Sequence, residues 1–263
     1  MSTTTDPFIL NAAIAEATKP EVVEVKTIAP ASTDVTLPGG FIFQDGVLSK
    51  YAEVRELNGA DEEAISKAKS LSQAFTIILK RGLVSVGGRD LEKTTYDNLL
   101  SGDVEAIILG IRRATFGDIA EYQLTCPKCE KTSVVDIDLN TDIPTNSLDN
   151  PISDRTWKVS IKTGVATLTL PTGRVQTMLL ENSDKTNAEL NTLLLGECLI
   201  GIDGKGTMGA STALKLGIED RNKLIEEINE KNSGPRFGEV SKACEACGEV
   251  ISTPVSLIAL FRL

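Results

Sequence analysis

Thr125–Lys131 reads TCPKCEK, and Ala243–Glu249 reads ACEACGE. Four of the chain's five cysteines thus form two Cys-x-x-Cys pairs, Cys126/Cys129 and Cys244/Cys247, with residues 130–243 between them. Each pair sets two thiolates on one tight turn, and two such turns complete the tetrahedral four-sulfur shell that zinc accepts. The flanks support turns. Tyr122 and Leu124 lead into Cys126, Val134–Leu139 alternates out of it, Phe237–Ala243 enters the second pair and Val250–Val255 leaves it. Period-two patterning on both sides puts each knuckle at the tip of a β-hairpin. The expectation is a four-cysteine zinc ribbon split by a long insertion. Redox work would need a βαβ setting with the first cysteine at a helix N-terminus. A disulfide framework suits an exported chain, and the N-terminus shows no basic region followed by an apolar core. Four thiolates leave no open position for water, so the expected Zn2+ is structural. It staples the hairpin before the insertion to the hairpin after it.

Working outward, residues 1–36 carry Thr3–Thr5, Pro7, Pro20 and Pro30 and read as a flexible N-terminal arm that can be deleted without unfolding the domain. Within it, the apolar triplet Phe8-Ile9-Leu10 cannot build a core of its own and reads as a docking element, on a partner or back on the domain, with disorder as the alternative. Residues 37–118 read as a β-hairpin and helical subdomain. Leu37-Pro-Gly-Gly40 turns the chain into Phe41-Ile-Phe43, a core strand, and Asp45-Gly46 turns it again into a strand near Tyr51–Leu57. One helix is expected from a cap at Asp61 to Gly82, a second over Arg89–Leu100, and a third capped by Asp103 and carrying Val104, Ile107, Ile108 and Ile111. The three read as a small bundle, with Arg112-Arg113 on a solvated face.

Residues 119–263 read as the zinc-ribbon subdomain, with an α/β insertion at about 140–236. Trp157–Ile161 and Val165–Leu170 form a hairpin, and helices follow near Asn187–Ile200 and Ile218–Asn232. Gly201–Gly209 between them reads as a flexible loop, because the G-x-x-x-x-G-K-[ST] spacing of a phosphate loop is absent. Cys198 has apolar neighbours at helical spacing and reads as a core residue. The fold class is therefore α+β.

Composition narrows the function. No histidine occurs in the 263 residues, which removes Ser-His and Cys-His nucleophile pairs and every histidine-bound metal. The formal charge of −10 opposes a nucleic-acid surface, which needs clustered Lys and Arg. No apolar run is long enough to span a membrane. No catalytic residues are assigned, and the chain reads as a soluble, non-enzymatic protein that meets other proteins.

The order Leu37-Pro-Gly-Gly40, Glu53-Val-Arg-Glu-Leu-Asn-Gly-Ala-Asp-Glu-Glu63, Leu79-Lys-Arg-Gly82, Gly102-Asp103, Arg112-Arg-Ala-Thr-Phe-Gly117 and then the first knuckle resembles the T4-like bacteriophage baseplate family. The resemblance covers residues 37–140, and extends more loosely through Leu168-Thr-Leu-Pro-Thr-Gly173 and the second knuckle. It implies a baseplate hub or tail-assembly protein of contractile-tailed phages, assembled in the host cytoplasm and located in the virion tail. The implied partners are other baseplate or tail proteins, with self-association in the assembly left open. A transient tail-assembly chaperone and a zinc-ribbon adaptor for nucleic acid stand as alternatives. The metal assignment rests on this sequence and not on the family.

Overall fold

A computed structural model describes residues 32–261. Phe8-Ile9-Leu10 lies outside the described residues. Gly46, at φ 80°, lets residues 43–47 fold strand β1 (Ser32–Ile42) back antiparallel on β2 (Leu48–Arg55). The register runs from Ser32↔Arg55 to Thr36↔Tyr51, shifts, and resumes at Phe41↔Ser49. Leu37-Pro-Gly-Gly40 is therefore a bulge inside a strand and not the turn that begins one. Proline cannot donate to a ladder, and Gly40 takes a φ of 70°. The boundary of the arm also moves. Residues 32–36 are strand, with Val35 buried, so removing residues 1–36 would cut into the core.

The single helix expected over 61–82 is two, α1 (Gly59–Ser66) and α2 (Leu71–Gly82). Ser70 begins the second by accepting from Gln73 N at 3.2 Å. Asn58, not Asp61, caps the first. Its side chain accepts from Ala60 N (3.0 Å) and Asp61 N (3.2 Å), while Asp61 accepts from Asn58 N (3.0 Å), a reciprocal capping box. The buried Asp61 carboxylate also clamps Arg55 (2.7 Å) and Arg81 (3.0 Å). Burial alone would raise its pKa, but Arg55, the Asn58 amide and Arg81 together hold it down at about 2.

Strand β3 (Leu83–Val86) follows α2 directly and completes the sheet β1-β2-β3. Gly87 and Gly88, at φ 58° and 71°, then turn the chain so that Arg89 bridges back to Val86. The expected helix over 89–100 shrinks to α3 (Thr95–Asn98). Helix α4 (Ser101–Phe116) lies against the sheet and α2, and its Val104, Ile107, Ile108 and Ile111 join Val35, Leu37, Val54 and Ile78 in the main core. Leu100 occupies the cap position of α4, while Asp103 reaches across to accept from Gly39 N at 2.7 Å. Arg112 is not on a solvated face. It is buried, and its guanidinium donates to Gly117 O (2.5 Å), Ile119 O (3.3 Å) and Leu260 O (3.4 Å), fixing the exit of the helix.

The ribbon then begins with β4 (Ile119–Thr125) and β5 (Thr132–Asp138), an unbroken antiparallel pair. After β6 (Thr145–Asn146) come the hairpin strands β7 (Thr156–Ile161) and β8 (Gly164–Thr169). Helices α5 (Gly173–Glu181) and α6 (Asn187–Cys198) follow, the first of them not anticipated. The stretch read as a flexible loop is ordered. Strands β9 (Leu199–Ile202) and β10 (Lys205–Gly206) pair through a two-residue turn, with Asp203 at φ 49° and Gly204 at φ 74°. Two consecutive positive φ values are what a tight hairpin demands. The resulting sheet, β10-β9-β8-β7, is covered by α6, by α7 (Ala210–Ala213) and by α8 (Ile218–Lys231). Cys198 is buried in that second core, as read, and burial followed by the neighbouring Glu197 pushes its thiol up to about 12. The short β11 (Gly234–Pro235) pairs with β6 and returns the chain to the second ribbon hairpin, β12 (Glu239–Ala243) and β13 (Val250–Pro254). Helix α9 (Leu257–Phe261) closes the described chain. The architecture is α+β.

Candidate metal centre

The tips of the β4–β5 and β12–β13 hairpins meet, and each is built alike. In the first, Cys126 N donates to Lys131 O (3.0 Å) and Glu130 N to Cys126 O (3.0 Å). In the second, Cys244 N donates to Glu249 O (2.7 Å) and Gly248 N to Cys244 O (2.8 Å). Both turns place the residue four after the first cysteine in the left-handed region, Glu130 at φ 60° and Gly248 at φ 73°. Glycine adopts that conformation freely, whereas an L-residue is strained there by about 1–2 kcal/mol. Replacing Glu130 by Gly is therefore expected to stabilise the protein by about 0.5–1 kcal/mol in a denaturant melt, the strain relief outweighing the extra chain entropy of glycine. A loss of stability would mean that the Glu130 side chain contributes more than its backbone costs.

These turns bring four sulfurs together. Cys126, Cys129, Cys244 and Cys247 each present a sulfur within 4.8 Å of the other three. Cys126 and Cys247 are separated by 3.6 Å, Cys129 and Cys244 by 3.8 Å. A disulfide requires about 2.05 Å, so these are four thiols and no bridge. Cys126 and Cys244 are buried beside Ile251, with Leu124 packed on them, while Cys247 is exposed. Lys128 of one knuckle pairs with Glu249 of the other at 3.0 Å, tying the tips together beyond the sulfurs. Nothing in the local sequence signals this pair, because the two residues join only once the hairpins are docked.

The electrostatics suit a cation. Amide hydrogens of Cys129 and Lys128 pull the Cys126 thiol down to about 7. At Cys247 the Glu249 amide pulls the same way, yet local desolvation and the three neighbouring sulfurs outweigh it and push the thiol up to about 12. The first proton leaves this cluster readily and the last one only against the charge of its neighbours. A divalent ion removes that conflict. Chemically, the arrangement is able to hold one metal ion.

The first knuckle lies inside a segment with a wider identity. Residues 52–230 match the family model described as T4 bacteriophage base plate protein. The chain belongs to that family. The base plate match runs from within β2 through most of the insertion, almost to the end of α8, and so includes Cys126 and Cys129 but stops short of Cys244 and Cys247. Half of the sulfur cluster of this base plate protein is thus supplied by residues beyond the matched segment. No curated protein and no solved structure matches the chain. Among the described residues, no helix is long and apolar enough to cross a membrane.

Proposed function

We propose that this chain is a non-enzymatic structural or assembly protein of a contractile phage tail. It acts in the baseplate hub through contacts with other tail and baseplate proteins, in a virion assembled in the host cytoplasm. Membership of the base plate family carries the reading. The acidic composition and the missing histidines favour protein partners over nucleic acid or catalysis. Cys126, Cys129, Cys244 and Cys247 hold one structural Zn2+. Zinc–thiolate bonds of about 2.3 Å in a tetrahedron set the sulfurs about 3.8 Å apart, and two of the pairs here stand at 3.6 and 3.8 Å. Bound there, the ion supplies a cross-link between two hairpins and no chemistry. Phe8-Ile9-Leu10 is the docking element of the arm, an apolar triplet suited to a groove or a sheet edge.

Affinity purification of the tagged chain from infected cells is expected to bring down structural tail proteins, and mass spectrometry of purified particles to find the chain in the virion. Its presence only in lysates would make it the transient chaperone instead. Complete contractile tails in lysates of a null mutant would refute the assembly role.

A further inference from the structure

Between α1 and α2, the end of α4 and the end of α9 lies an open groove of about 710 Å³. Its lining includes Leu57, Ile65, Leu71, Ala74, Phe116 and Phe261. Leu71 and Phe116 are 41% and 59% exposed, so the groove presents apolar side chains to water in a folded domain. The wall is already shaped, since the Phe116 and Phe261 rings stand edge to face at 6.4 Å and the Arg112 guanidinium lies over Phe116 at 5.3 Å. A contiguous apolar surface of this kind marks a place where something docks.

We propose that the occupant is the chain's own Phe8-Ile9-Leu10, seated in the groove of the same molecule; the inference rests on reading that triplet as a docking element. The point where the arm joins the fold supports it. Ser32 opens β1 paired with Arg55, two residues before Leu57 of the groove, a reach of at most about 7 Å of chain. Residues 11–31 separate the triplet from Ser32, and a flexible linker of about 20 residues would span on the order of 25 Å, enough to lay the triplet across the opening. Such tethering gives an effective concentration in the millimolar range. In dilute solution that exceeds what a second copy or a free partner offers. The triplet, three consecutive apolar residues between Pro7 and Asn11, has the chemistry that the groove lacks a partner for. Docking in cis keeps this surface covered in the free chain, and a neighbouring protein offering a similar apolar segment exchanges with it during assembly.

The test is photo-crosslinking of the full-length, metal-loaded chain with benzoylphenylalanine in place of Phe8. Irradiation of dilute protein is expected to give crosslinks within the monomer, from the Phe8 peptide to peptides covering residues 57–74 or 115–116. Those crosslinks should be lost in Leu71→Asp and in Phe116→Asp. Leu71 opens α2, where an acidic residue suits the helix dipole, so that variant folds normally by circular dichroism. Crosslinks confined to covalent dimers would put a second copy in the groove and overturn the proposal. Crosslinks scattered elsewhere on the chain, or unchanged by both substitutions, would overturn it equally. Co-purification from infected cells judges the assembly role independently, so either reading can fail alone.

Discussion

Cys126→Ser and Cys247→Ser each strip the bound zinc and loosen both ribbon hairpins, whereas Cys198→Ala leaves the metal content unchanged: this is the expected result of elemental analysis on the purified variants. The reason lies in how little else joins the tips. The β4–β5 and β12–β13 pairs are two separate two-stranded sheets, and an isolated two-stranded hairpin is marginal in water. Val134 and Val250, near the tips, are 59% and 60% exposed, so apolar burial there is slight. At the other end the hairpins are anchored, since Ala120, Ile137 and Val255 pack with Leu109 of α4. Structural zinc in finger peptides contributes about 10–16 kcal/mol of apparent binding energy to folding. Part of that is recovered here by the anchored bases, which makes the loss local. Hydrogen exchange is expected to accelerate over residues 119–138 and 239–254 and to stay slow in α4. Wild-type protein that carries no metal and four free thiols would refute the assignment outright.

The ribbon is legible in the sequence because each of its signals is local. A knuckle, a period of two on either side and turn-compatible residues can all be read within a short window, although the two windows lie far apart in the chain. What sequence reading misses depends on partners distant in sequence. Leu83-Val-Ser-Val86 continues the apolar spacing of the helix before it, and only pairing with β2 makes it a strand. Arg112 looks like one of two surface arginines until Leu260, at the far end of the chain, supplies a carbonyl for it. Asp61 and Asp103 both resemble caps by type and position. Asp61 instead closes the capping box of Asn58 and holds two arginines, and Asp103 is diverted to a strand amide. The Leu-Pro-Gly-Gly, Gly-Asp and Leu-Pro-Thr-Gly stretches that carry the family resemblance read as separate signatures along the chain. In the structure they converge on the start of α4. Leu148 N donates to Pro38 O (2.9 Å), Ser101 N to Pro171 O (2.9 Å) and Gly173 N to Leu99 O (2.7 Å). This junction joins the main core to the insertion.

Gly102→Ala probes that junction. Helix propensity alone favours the substitution, since alanine exceeds glycine by about 1 kcal/mol in a helix. Packing opposes it. A Cβ on Gly102 would stand 1.8 Å from Ser233 O and 2.3 Å from Ser233 C, and both are backbone atoms that no rotamer change can move aside. Gly234, at φ 110°, faces Gly102 from the other side, with its own Cβ position 2.5 Å from Gly102 Cα. The two glycines therefore let the helix start and the β11 segment touch backbone to backbone. Relief of the clash has to push α4 away from that segment and, with it, Asp103, which is fully buried and bonded to Gly39 N. Burial already raises the Asp103 carboxyl to about 6, against the Gly39 amide and Arg155, so weakening that hydrogen bond leaves a poorly satisfied acid in the core. A destabilisation of about 3 kcal/mol or more is expected in a denaturant melt, at the upper end of overpacking costs. Gly59→Ala is the matched control, because its added Cβ meets nothing within 4 Å, and it should be neutral or slightly stabilising. Equal stability of Gly102→Ala and wild type would mean that the junction yields, and that the contact between core and insertion is looser than its backbone packing implies.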